Sequence, residues 1–114
     1  MVDYSRLNVY TSPSIGDNTY TIWVGRSNLL GFIAENNSLS TRWIQVYDNT
    51  ATPTAGDVPI LEIKLLTGQQ SSFDPTAFNY LPLQNGLTFA NSTTSNKYTA
   101  ASANDLWATF FWLG

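Results

Sequence analysis

Residues 41–66 read TRWIQVYDNTATPTAGDVPILEIKLL, and this stretch decides the fold. Its first eight residues alternate, with Arg42, Ile44 and Val46 on one face of an extended chain and Trp43, Gln45 and Tyr47 on the other. Neither face is cleanly polar. Residues 49–58 then carry Pro53, Gly56 and Asp57, the chemistry of a loop. Pro59 marks entry to a second strand, in which Leu61, Ile63 and Leu65 alternate with Glu62 and Lys64. Strand, loop, strand is the reading.

The rest of the chain repeats that unit in shorter form. Residues 6–10 make a first strand and residues 11–18 a turn cluster. A second strand follows at 19–24, with Tyr20, Ile22 and Val24 opposite Thr19, Thr21 and Trp23. The run LLGFIA at 29–34 is too short for an ordinary helix, and Gly31 inside it predicts a bulge or a close backbone approach. Turns are predicted at 67–72 and 73–75. An extended segment at 78–83 carries Pro82, which suits an edge strand. Asn85-Gly86, between Leu81/Leu83 and Leu87/Phe89, predicts a hairpin. A polar turn at 91–96, a short strand at 97–101, a turn at 102–105 and a last strand at 106–112 complete the chain. No window holds the i, i+3, i+4, i+7 spacing of an amphipathic helix. Eight to ten short strands with turns between them predict one all-β domain over residues 1–114: an antiparallel β-sandwich, jelly-roll or Greek-key-like, rather than a closed barrel.

Composition narrows the function. Of 114 residues 43% are apolar, enough for a sizeable core, and only 11% are charged against about 25% in ordinary soluble domains. Ser, Thr, Asn and Gln must finish the surface. The net charge is -3, and the five basic residues Arg6, Arg26, Arg42, Lys64 and Lys97 are scattered, which argues against nucleic acid as a partner. Without cysteine there is no disulfide or thiolate chemistry, and without histidine the usual general base and most zinc sites are gone. VDYSRLNVY after Met1 has neither the basic nor the apolar part of a signal peptide, and no apolar run approaches the ~20 residues of a membrane helix. A soluble protein is expected.

The acids that could supply a catalytic pair are Glu35, Asp48, Asp57, Glu62, Asp74 and Asp105. Five sit in predicted loops beside Gly, Pro, Asn or Ser, where capping a turn is their ordinary role, and Glu62 sits on an exposed strand face. No catalytic, cofactor or metal site is predicted. Asp48-Asn49 with Asp57 offers oxygen ligands for calcium without the spacing of a calcium loop. Asn36-Asn37-Ser38 and Asn91-Ser92-Thr93 fit the glycosylation pattern, which chance supplies readily in so Asn/Ser/Thr-rich a chain.

The aromatics say more. Trp23, Trp43, Trp107 and Trp112 are many for this length. On the last strand Leu106, Ala108, Phe110 and Trp112 share one face, and Trp107, Thr109 and Phe111 the other. One face fills a core; the second needs another cover, whether a loop or the N-terminal segment of the same chain, a neighbouring subunit, or a sugar stacked on the rings.

Three segments in order, RWIQVYDNTATPTAGDVPILEIKL (42–65), LQNGLTFANSTTSNKYTA (83–100) and DLWATFFW (105–112), resemble small β-sandwich proteins of bacteriophage virions. These are capsid decoration or cement proteins, head fibres and tail-associated domains. The region these segments span, from residue 42 onward, is about two-thirds of the chain. It implies a non-enzymatic structural role, with a stand-alone decoration protein on the capsid surface favoured, soluble in the host cytoplasm before assembly. The implied partners are the phage major capsid protein and copies of the chain itself, as a trimer. Trp43, Tyr47, Trp107 and Phe111 are the residues expected at subunit or capsid contacts. The alternative is a carbohydrate- or receptor-binding module of a tail or fibre.

Overall fold

The structure, a computed structural model, describes residues 6–15, 20–74, 80–101 and 106–114. Nine strands follow one another with no α-helix among the described residues. They are β1 (Leu7–Ile15), β2 (Tyr20–Val24), β3 (Ser27–Asn36), β4 (Arg42–Tyr47), β5 (Leu61–Leu65), β6 (Gln70–Phe73), β7 (Leu81–Leu83), β8 (Gly86–Ser92) and β9 (Leu106–Leu113).

Their pairing is nested. β4 pairs β5, β3 pairs β6 and β7, β2 pairs β8 and β1 pairs β9, all antiparallel. The chain is thus one long two-stranded ribbon closed at the β4–β5 loop, the stretch that decided the fold from sequence. Wrapping the ribbon adds the contacts β9·β3 and β8·β4, giving two sheets ordered β1-β9-β3-β6 and β2-β8-β4-β5. β9 occupies one edge of β3; β7 (against Ser27–Leu29) and β6 (against 32–35) share the other as one interrupted strand. Counted so, this is the eight-strand order of a jelly roll. The expected sandwich is present.

The core lies between the sheets. Leu29, Phe32, Ala34, Ile44, Val46, Leu65, Leu83, Leu87, Phe89, Leu106, Ala108, Phe110 and Trp112 form one buried cluster. Rings lace it together: Phe73, Phe32, Phe110 and Phe89 stack in sequence at centroid distances of 5.6, 4.9 and 4.8 Å. Phe89 carries the line from one sheet to the other. Gly31 has both properties expected of it. The β3–β9 register shifts between Leu29 and Gly31, and a Cβ there, at φ +156°, would lie 2.6 Å from the Phe73 carbonyl oxygen.

Five local expectations are corrected. β1 runs on to Ile15 through the supposed turn at 11–18, because β9 offers it partners as far as Leu106. The turn at 67–72 ends early: Gln70–Phe73 is strand β6, polar in sequence and held by β3. The polar turn at 91–96 begins later, since Asn91 and Ser92 are buried in β8. The strand at 97–101 reduces to one bridge, Ser92 to Ala100. Asn85-Gly86 closes no hairpin, for β7 and β8 belong to different sheets. It is a corner, and Gly86 is needed for close approach: a Cβ would lie 2.8 Å from the Trp23 carbonyl oxygen and nearer still to that of Asn49. The turn placed at 102–105 lies outside the described residues.

Candidate functional site

The two sheets treat their outer faces differently, and this locates the candidate site. Over β4 and β8 the outer face of β2-β8-β4-β5 is roofed by the chain itself. Tyr98 packs on Tyr47 and Ala90, and Gln45 beside them is fully buried. The Gln45 amide donates to Glu62 Oε1 (3.0 Å) and to the carbonyls of Thr94 (3.2 Å) and Lys97 (3.0 Å), while its oxygen accepts from the Tyr47 hydroxyl (2.6 Å). Glu62, read as a solvated strand residue, accepts from the Asn96 N–H and the Ser95 hydroxyl and so anchors the same loop. Two backbone bonds, Gly56 N to Tyr98 O (2.9 Å) and Tyr98 N to Asp57 O (2.7 Å), tie it to the β4–β5 loop. Tyr47 is 4% exposed. Burial, then the nearby Asp57, Tyr98 and Glu62, push its hydroxyl pKa well up, so it stays a protonated donor. A residue expected at an interface is enclosed by its own chain.

The carboxylates of Asp48 and Asp57 are also engaged, while Asp74 is exposed and Asp105 lies outside the described residues. Asp48 accepts the backbone N–H groups of Gln84 (2.9 Å), Asn85 (2.8 Å) and Gly86 (3.2 Å), fastening the β7–β8 corner to the end of β4. Burial raises its pKa, but the three donors together outweigh that and hold it below the ordinary carboxylate value. Asp57 Oδ2 accepts the Thr54 N–H (2.9 Å). The oxygens weighed for calcium are thus turned toward backbone donors, and no group of three His, Cys, Asp or Glu gathers among the described residues. Asn36 and Asn91, the asparagines of the two glycosylation patterns, are both buried. Asn36 spends its amide on the carbonyls of Ser40 (2.8 Å) and Leu65 (2.9 Å). In the folded chain neither is open to modification.

The outer face of β1-β9-β3-β6 is different. Val9 is 55% exposed, Trp107 51%, Leu7 42% and Ile33 41%. Register sets them in rows: Leu7–Leu113–Asn28, Val9–Phe111–Gly31, Thr11–Thr109–Ile33, and Trp107 beside Glu35 and Gln70. Apolar residues adjacent on one flat face mark an interaction surface more than scattered ones do. At one end Trp107 lines a groove of about 380 Å³ with Thr11, Ile33, Glu35 and Gln70. At the other, Leu113 and Asn28 border a cleft of about 400 Å³ lined by Arg6, Arg26 and Gln84.

Of the four expected contact residues, Trp107 and Phe111 stand together on this open face. Trp43 and Tyr47 lie on the outer side of the opposite sheet, Trp43 half-buried in register with Lys64 and Ser92. Of the other two tryptophans Trp112 is buried and Trp23 partly buried, packing on it at 6.1 Å. Sequence reasoning missed Leu7, Val9 and Ile33 as surface partners of Trp107. Their alternation was visible, but only the pairing of β1 and β3 on either side of β9 makes them one patch.

No known protein family and no curated protein matches this sequence. Among solved structures the chain is similar to the coat protein of Tobacco streak virus, at 10% identity over 96% of this chain and 87% of that one, with a TM-score of 0.41. A score of that size does not define a fold, which rests here on strand pairing.

Proposed function

We propose that this protein is a non-enzymatic structural component of a phage virion, most simply a capsid decoration protein that binds the outer shell and stabilises it. The observation that carries the reading is the open apolar face of β1-β9-β3-β6, centred on Phe111 and Trp107, in a chain whose Asp48 and Asp57 carboxylates serve its own turns. The resemblance of residues 42–65, 83–100 and 105–112 to small virion proteins supports the phage setting. A protein that binds the assembled shell and not its separated subunits strengthens it by mass action and needs contact area rather than an active site. The test is co-sedimentation of the purified protein with capsids of the encoding phage. Saturation in fixed ratio to the shell subunits is expected; no binding overturns the proposal.

A second reading has one observation in its favour. The Trp107 groove sets an exposed indole beside Glu35, Gln70 and Thr11, an apolar ring face next to hydrogen-bonding groups, as a sugar site requires. Glycan-array binding that Trp107→Ala abolishes would favour a carbohydrate-recognition module.

A further inference from the structure

We infer that a second copy of this chain covers the outer face of the β1-β9-β3-β6 sheet, the two copies packed antiparallel about a two-fold axis. This rests on the reading of the chain as an assembly protein acting through that face: in the free protein the second copy occupies it, and the shell takes the second copy's place on binding. The middle of the face is uncharged and largely apolar, with Val9, Ile33 and Phe111 around the hydroxyl-bonded pair Thr11 and Thr109. Its ends carry opposite charge. Arg26 and Arg6 line the cleft at the Asn28–Leu113 end, and Glu35 sits beside Trp107 at the other. Among the described residues none of these three side chains has an ion-pair partner: the bonds at Arg6 and Arg26 are accepted by their backbone carbonyls.

That polarity selects one arrangement. The two ends are six residues apart along β9, roughly 20 Å at the rise of a strand. A two-fold axis lying in the interface and crossing the strands near Thr109–Phe111 reverses strand direction and sets each β3 over its counterpart. Glu35 of one copy then faces Arg26 of the other, twice, and each Trp107 lies over the other copy's Leu113. An axis running along the strands would instead oppose Glu35 to Glu35 and arginines to arginines. A face-to-face contact joins two copies and no more, so this surface makes a dimer, where the sequence resemblance implies a trimer. The apolar centre and polar ends also follow the common layout of a subunit interface.

The experiment is sedimentation equilibrium of the full chain over a concentration series, with charge exchanges. The wild type is expected to dimerise. Because the two-fold axis repeats each pair, Arg26→Glu or Glu35→Arg alone is expected to weaken the dimer about tenfold or more. The double variant R26E/E35R restores the opposition of charge and is expected to return to within about threefold of wild type. It also controls for folding, since it contains both changes. A monomeric or trimeric wild type, single variants without effect, or a double variant no better than the singles would overturn the inference. Capsid co-sedimentation keeps the two proposals apart: a monomer that still saturates capsids sinks the dimer and leaves the virion role standing.

Discussion

Asp48 shows how a turn residue becomes structural. Its carboxylate holds the N–H groups of three successive residues at the β7–β8 corner. Its folded pKa lies below the unfolded value of about 3.9, so its contribution is fully present above that value and is lost as pH falls through the folded one. Asp48→Asn is expected to cost about 1–2 kcal/mol at pH 7 and progressively less toward pH 2, read as converging urea midpoints of the two proteins. At Gly31 backbone geometry decides. With the Phe73 carbonyl oxygen 2.6 Å from any Cβ and φ at +156°, Gly31→Ala is expected to cost about 2 kcal/mol or more in the same unfolding measurement, by parting β3 from β6. Gly31 was legible in the sequence, since a lone glycine in an apolar run has few other uses. Gly86 was misread because Asn-Gly speaks first of a hairpin; only the fold puts Asn49 and Trp23 against it.

Strands with a strong local pattern were legible as elements, and those that depend on a partner were not. β5 and β9 keep the alternation read from sequence, with Leu65 buried on one and Leu106, Ala108, Phe110 and Trp112 on the other. β6, whose sequence is QSSF, has weak strand propensity and exists because β3 leaves an edge free. The second face of β4 looked too apolar for solvent, and the reason was a roof made by residues 93–101, far along the chain. The roof hangs on Glu62 and Gln45. Glu62→Ala removes acceptors for the Gln45 amide, the Asn96 N–H and the Ser95 hydroxyl at once. Hydrogen exchange should then accelerate at Thr94, Asn96, Tyr98 and Thr99 while the core amides of Phe32 and Phe110 stay protected. Equal acceleration throughout would mean that the loop and the sandwich unfold as one unit.

At the scale of the molecule, one long ribbon wraps on itself, with β1 pairing β9 at the two ends of the chain. The sandwich class could be read from strand count and turn spacing, but not the nesting, because register between distant strands leaves little local trace. The candidate site was half legible for the same reason. The two-sided apolar character of β9 was plain in residues 106–112, whereas the patch is completed by Leu7, Val9 and Ile33 from two other strands. Tyr47 looked equivalent to Phe111 as an aromatic on a second face, yet one is roofed and the other open. The open face is the claim on which function rests, and a substitution there tests it against one elsewhere. Val24, 69% exposed on β2 of the opposite sheet, is an apolar position of comparable exposure outside the patch. The decisive measurement is co-sedimentation with capsids of the encoding phage for wild type, Trp107→Glu and Val24→Glu. Wild type and Val24→Glu are expected to saturate the particles alike, while Trp107→Glu loses most of its binding with its melting transition unchanged. Equal binding by all three, or binding lost only in Val24→Glu, would contradict the assignment of the β1-β9-β3-β6 face.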